Sequence, residues 1–296
     1  MRVPQRSLLV INVFLSLLVL LFTPGTLQAG EKSCLWRVTS NYNTVYVLGS
    51  VHVLRKEHYP LNDNIYEAFD AVQHLVFEVN LDSMSSPENQ IDSLRKGMLG
   101  DGQTLKDVLA PDSYGFTKTT LQKHGYNVGM FTLMKPWMLA MTLTILELQK
   151  LGFETDHGVD QHFFEKAKTE GKSVEGFETV EYQLSRFDSL PFGVQEQFLL
   201  QTLGEIGTLK QQTQNLVQSW TSGRVEGLEV MLEKMQEFPE VYEALISQRN
   251  NNWMPHIETY LQENEPYMIV VGTLHLVGEE GLLAMLKKKG YMIQQL

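Results

Sequence analysis

Two short apolar runs that end on glycine stand near opposite ends of the chain. Val45-Tyr46-Val47-Leu48 leads into Gly49-Ser50-Val51-His52, and Met268-Ile269-Val270-Val271 leads into Gly272-Thr273-Leu274-His275. Neither run alternates with polar residues, which predicts strands covered on both faces. A helical period follows each. Ile65, Phe69 and Val72 share a face before a further strand, Leu75–Val79. Leu282, Leu283, Met285 and Leu286 fill a second helix, with Lys287–Lys289 in its last turn and Gly290 as its stop, as the helix dipole and the C-cap favour. Tyr291–Leu296 supplies a closing strand. The prediction is an α/β fold made of two β-loop-α-β half-repeats, each carrying a G-x-x-H motif. Such units imply parallel pairing with right-handed crossovers.

Between Asn80 and Pro266 the periodicity is mostly helical. Leu139, Leu143, Leu146 and Leu151 recur on one stripe, and Val225, Leu228, Leu232 and Met235 on another. Gly100–Gln103 and Pro191–Gly193 read as turns, and a short strand is expected before Glu178. No Pro/Ser-rich linker divides the chain, so residues 30–296 are expected to form one domain with a large helical insertion between the half-repeats. The start is different in kind. Arg2 and Arg6 precede a mainly apolar run from Leu8 to Phe22, then Pro24-Gly25 and Leu27-Gln28-Ala29. That plan predicts a signal peptide over residues 1–29, too short in its apolar part for a stable membrane span. The protein is therefore expected to be exported, to a bacterial periplasm or the medium.

Composition narrows the chemistry. The chain holds 24 Lys+Arg against 35 Asp+Glu, and losing Arg2 and Arg6 makes it more acidic. That excludes the basic face of a nucleic-acid binder. A single cysteine, Cys34, excludes an intrachain disulfide and any thiolate metal cluster. The eight histidines are left to sort. Ligands in parallel sheets bind outside the carboxyl ends of strands, where His52 and His275 both fall. Glu78 interrupts an apolar strand near its own carboxyl end, and a buried carboxylate needs a cation or donors. Each histidine alone reads equally well as a structural hydrogen-bonder. Their matched surroundings together with Glu78 predict a three-ligand metal site. His157, Asp160 and His162 also cluster, but their spacing does not share a helix face, and HExxH is absent. Arg249 heads an amide-rich stretch, Asn250-Asn251-Asn252-Trp253, expected ahead of an amphipathic helix. It would hold a substrate carboxylate or an oxyanion, or the stretch is simply a solvated loop.

The chain resembles the TraB/GumN family, the bacterial branch of a superfamily that includes the Tiki proteins. The resemblance rests on Leu48-Gly49-Ser50-Val51-His52, Tyr59-Pro60-Leu61, Glu78, Lys135-Pro136-Trp137, Gly158-Val159-Asp160 and Gly176-Phe177-Glu178-Thr179 with Gln183. Further matches are Arg249-Asn250 with Trp253, Val271–Gly278 and Gly290-Tyr291. It implies an erythromycin-esterase/ChaN-like fold and a divalent-metal-dependent peptidase using His52, His275 and Glu78. The metal would be Mn, Co or Zn, with a peptide or small molecule as substrate. Glu78 would be a ligand or the base, Arg249 would stabilise the oxyanion, and Glu178 would orient a histidine. Other relatives imply peptide or haem capture without turnover, and a metal-free esterase-like hydrolase is a further reading. Oligomeric state is left open by the sequence.

Overall fold

The computed structural model describes residues 32–296. The signal-peptide expectation for residues 1–29 lies outside the described residues. The described chain builds a six-stranded mixed sheet from β1 (Leu35–Thr39), β2 (Thr44–Ser50), β3 (His74–Val79), β4 (Ser173–Glu178), β5 (Tyr267–Gly272) and β6 (Met292–Gln295). Across the sheet the order is β4-β3-β5-β2-β1-β6. β4, β3, β5 and β2 pair in parallel, while β1 is antiparallel to both β2 and β6.

This confirms a mixed α/β fold and corrects the expected pairing. The two G-x-x-H strands lie side by side, β2 on β5, with Ser50 opposite Gly272. Neither pairs with the strand that follows it in sequence: β5 separates β2 from β3, and β2 and β1 separate β5 from β6. Burial explains the order. In β5, Tyr267–Val271 are all buried, so it takes a central place, whereas β6 and β4 carry exposed residues and take the edges.

The helices follow the apolar stripes with two exceptions. The longer ones are α1 (Asp63–Asp70), α2 (Pro87–Gly97), α3 (Pro111–Lys123), α4 (Pro136–Lys150), α5 (Val159–Thr169), α6 (Val180–Asp188) and α7 (Phe192–Glu205). Next come α8 (Leu209–Thr221), α9 (Glu226–Gln236), α10 (Gln248–Tyr260) and α11 (Leu282–Lys288). Gly100–Gln103 does turn, with Gly102 at φ 72° and the Gln103 N–H on the Gly100 carbonyl. Pro191–Gly193, expected as a turn, instead starts α7: the Pro191 carbonyl accepts from Val194 and Gln195. Pro191 is the N-cap, with φ −53° and ψ 144°, a place where the missing N–H would have no partner within the helix. Arg249–Trp253, expected ahead of a helix, lies inside α10, directly after a π-helical turn at Glu243–Ser247. Asn250 is fully buried, so it belongs to no solvated loop.

One apolar core covers both faces of the sheet, including Leu48, Phe69, Phe77, Phe163, Trp253, Ile269 and Leu286. A second, built by Leu105, Leu121, Phe131, Leu139, Leu143, Leu199 and Leu203, sits within the helical segment. Cys34 is a buried free thiol whose burial pushes its pKa up to about 12. Trp220 on α8 donates from Nε1 to the Gly49 carbonyl at 2.6 Å, tying a helix to the strand end that carries His52.

Candidate functional site

β2, β3, β4 and β5 all end at one edge of the sheet, and the polar residues of the motifs gather there. Glu78 on β3 is 8% exposed. Its Oε1 accepts from the Gly272 N–H at 2.7 Å; its Oε2 accepts from Arg249 Nη2 at 2.6 Å and from Gln183 Nε2 at 3.1 Å. Burial pushes this carboxyl up, but Arg249, the two imidazoles and the Gly272 N–H outweigh burial and hold it well below the usual carboxylate range.

Arg249 is the hub. Its Nε donates to both Glu178 oxygens at 3.1 and 3.0 Å, and Nη2 reaches Glu178 Oε2 at 2.9 Å as well as Glu78. Nη1 donates to the Leu245 carbonyl at 3.3 Å and meets His275 Nε2 at 3.1 Å. A π-helical turn ends two residues before Arg249, and such turns are frequent at functional sites. Glu178 takes a third donor, Trp253 Nε1, at 3.0 Å. Burial dominates at Glu178 and pushes its carboxyl up despite Arg249. Glu178, expected to orient a histidine, therefore spends its hydrogen bonds on Arg249 and Trp253.

The histidines are oriented by other residues. Asn250 Nδ2 donates to the carbonyls of His275 and Glu280 at 3.1 and 2.8 Å, which turns its Oδ1 toward His275 Nδ1 at 2.7 Å. An amide oxygen only accepts, so His275 carries its proton on Nδ1 and offers a bare Nε2 to Arg249. Burial, with the nearby Arg249 and His52 charges, pushes the His275 pKa down to about 3. His52 is held at Nδ1 by Asp160 Oδ2 at 3.1 Å. Asp160 raises the His52 pKa to about 9. The ring is 60% exposed, so solvent screening weakens that pull.

Gly272 shows what these groups surround. A Cβ placed there would lie 3.1 Å from Glu78 Oε1, 3.5 Å from His52 Nε2 and 3.6 Å from His275 Cδ2. The missing side chain leaves a cradle between two strand ends into which all three predicted residues project. Gly158 makes a comparable close approach: a Cβ would sit 2.5 Å from the His52 carbonyl, so glycine brings α5 and its Asp160 up to His52.

His157 and His162 do not join this group. His162 packs against Tyr59, Tyr66 and Phe163, and the His157 carbonyl accepts from the Tyr59 hydroxyl. Asp160 alone of that cluster reaches the site, where it meets His52, and Gly158-Val159-Asp160 is one of the motif matches. Gln183 and Asn250 also stood there without a role. Their contacts arise from elements distant in sequence, which periodicity does not reveal.

The buried neutral His275 gives a pH prediction. Its unfolded-state pKa is near 6.5 and its folded value about 3, so the unfolded chain binds the extra proton between them. Its contribution to stability is complete above pH 6.5 and is lost as pH falls toward 3, and Glu78 adds to the loss at the acid end. The urea midpoint is expected to be lower at pH 5 than at pH 7, with a shallower dependence in His275→Gln.

The fold and this edge define an α/β protein with a histidine–glutamate–arginine centre at the carboxyl ends of its parallel strands. The chain belongs to the TraB/PrgY/gumN family, whose model matches residues 34–295. It is 23% identical over 243 residues to the "Uncharacterized protein YbaP" of Escherichia coli (strain K12), covering 82% of this chain and 87% of that protein. It is 24% identical to a "Metalloprotease TIKI homolog" of Amphimedon queenslandica, covering 91% of this chain and 62% of that protein. No solved structure matches the chain.

Proposed function

We propose that the chain is an exported hydrolase, acting on peptides at the cradle over Gly272. One observation carries the reading: His52 Nε2, Glu78 Oε1 and the His275 ring converge within 3.6 Å of one point, the place a Cβ would take on Gly272, beside a buried guanidinium. The likeness to a protein named a metalloprotease supports the reaction class. His52 is built for proton exchange. Asp160 fixes its Nδ1, leaving Nε2 toward the cradle to give a proton to a departing amine or to take one from water. Arg249 places positive charge and N–H donors beside the reacting point, where an oxyanion develops during acyl transfer.

A divalent ion fits two donors well. His52 Nε2 and Glu78 Oε1 share the cradle, and Asp160 behind His52 is the carboxylate partner that metal-binding histidines commonly have. Bound there, Mn, Co or Zn would lower the pKa of a bound water and polarise the scissile carbonyl. His275 fits less directly, because Arg249 already occupies its Nε2. Among the described residues no group of three His, Cys, Asp or Glu side chains is drawn together closely enough to hold an ion as they stand. The Arg249–His275 contact favours a second reading, a metal-free hydrolase in which the Asp160–His52 pair moves the proton unaided.

Digestion of a peptide library separates the two readings. Cleavage abolished by exhaustive chelation and restored by Mn²⁺, Co²⁺ or Zn²⁺ is expected for the first. Cleavage indifferent to chelation selects the second, and no cleavage under any condition removes both. Amino-terminal sequencing of protein recovered from the bacterial envelope tests export: the mature chain is expected to start at Gly30.

A further inference from the structure

Building on the hydrolase reading, we propose that Arg186 forms an anion subsite beside the cradle, which takes a carboxylate of the peptide substrate. Arg186 lies one helical turn after Gln183 on α6, so both share a face, and Gln183 is the residue whose amide reaches Glu78. On the other side its Nη1 donates to Gln248 Oε1 at 3.2 Å, and Gln248 directly precedes Arg249. The subsite is therefore tied to the catalytic edge through two neighbouring elements.

Every partner of Arg186 is neutral. Nη2 donates to Ser185 Oγ at 3.1 Å, and the guanidinium lies 4.3 Å from the centre of the Tyr182 ring. Asn252 Nδ2 donates to the Tyr182 hydroxyl at 2.7 Å and so fixes that ring as a platform. Arg186 Nε is buried and has no hydrogen-bond partner. The carboxylates around it are committed elsewhere. On α6 itself, Glu181 pairs with Lys96 at 3.2 Å and Asp188 with Lys135 at 2.5 Å, while Glu78 and Glu178 pair with Arg249. Among the described residues no carboxylate pairs with Arg186, although the chain carries eleven more acidic than basic side chains.

A half-buried guanidinium, stacked on a tyrosine and lacking a counter-ion, is suited to a planar carboxylate, which its Nη1–Nη2 edge would take in exchange for Gln248 and Ser185. A polypeptide offers that group at its carboxyl terminus or on an Asp or Glu side chain. Either would anchor the chain beside the cradle.

Calorimetric binding to the uncleaving His52→Ala chain tests the proposal with three probes. They are acetyl-Ala-Ala-Ala as the free acid, its amide, and acetyl-Ala-Glu-Ala as the amide. One of the two acidic probes is expected to bind about tenfold or more tighter than the neutral amide, and which one identifies the source of the carboxylate. Adding Arg186→Gln abolishes the preference and Arg186→Lys keeps part of it, with urea midpoints showing that both variants fold. Equal affinity of all three probes, no binding of any, or an unchanged preference in Arg186→Gln overturns the proposal. A preference that depends on Arg186 in a chain that cleaves no peptide would leave the subsite standing and remove the hydrolase reading. Cleavage without that preference would do the reverse.

Discussion

Replacing Arg249 by methionine lowers the unfolding free energy by about 3–5 kcal/mol. Arg249 contacts two buried carboxylates: Glu78 lies at 2.6 Å and Glu178 at 2.9 Å, and the Arg249 side chain is 7% exposed. Removing one partner of a buried pair leaves the other without compensation, which costs far more than the pair contributes when intact. Two carboxylates sharing one guanidinium place the effect toward the upper end. The loss grows with pH, because above the carboxylate range both groups are left charged. A second change, Glu178→Gln, recovers part of it by removing one orphaned charge. Urea unfolding of the three chains at pH 7 checks the order: wild type most stable, the double variant intermediate, Arg249→Met least. If Arg249→Met matched wild type, the buried network could not be holding the strand ends as described.

The second large effect is on turnover and leaves stability nearly untouched. His52→Ala is expected to lower peptide cleavage by roughly 10²–10⁴-fold, the range of a positioned proton-transfer group. Its ring is 60% exposed and its one side-chain hydrogen bond goes to Asp160, so truncation opens no cavity in the core. The His275 ring is 5% exposed, packs 4.5 Å from Trp253 and contacts both Arg249 and Asn250. Its removal therefore costs stability as well as activity. The two histidines look equivalent in sequence and differ in the structure. Paired assays of activity and urea midpoint for His52→Ala and His275→Ala expose that difference, and equal losses of stability in the two would contradict it.

The physics behind that contrast also decides what could be read from sequence. The apolar runs before Gly49 and Gly272 marked buried strands because hydrophobic pattern is local. The same strands gave no sign that they would be neighbours. Sheet order depends on which strand is apolar on both faces, and β5 wins the position between β2 and β3 through contacts made by the whole chain. Glu78 was legible because a carboxylate within an apolar strand has to be compensated. Arg249 was singled out but misplaced, since the π-helical turn before it has no simple sequence mark and an asparagine run reads as loop. Asp160 and Asn250 were hidden for another reason: each acts on a histidine more than twenty residues away, and only the folded edge brings the pairs together. Glu178 shows the converse, a residue singled out in the sequence whose partners are Arg249 and Trp253 rather than a histidine.

The claim on which the rest depends is that the point over Gly272 is where chemistry happens. Gly272→Ala tests it with one methyl group. Gly272 has φ −50° and ψ 132°, which alanine adopts without strain, and the added carbon would sit 3.1 Å from Glu78 Oε1 and 3.5 Å from His52 Nε2. Initial rates of library cleavage are therefore expected to fall by about a hundredfold or more, comparable to loss of a catalytic group, in a chain that unfolds at nearly the wild-type urea midpoint. Cleavage at the wild-type rate by a folded Gly272→Ala chain would contradict the account, because the cradle would then be filled without consequence.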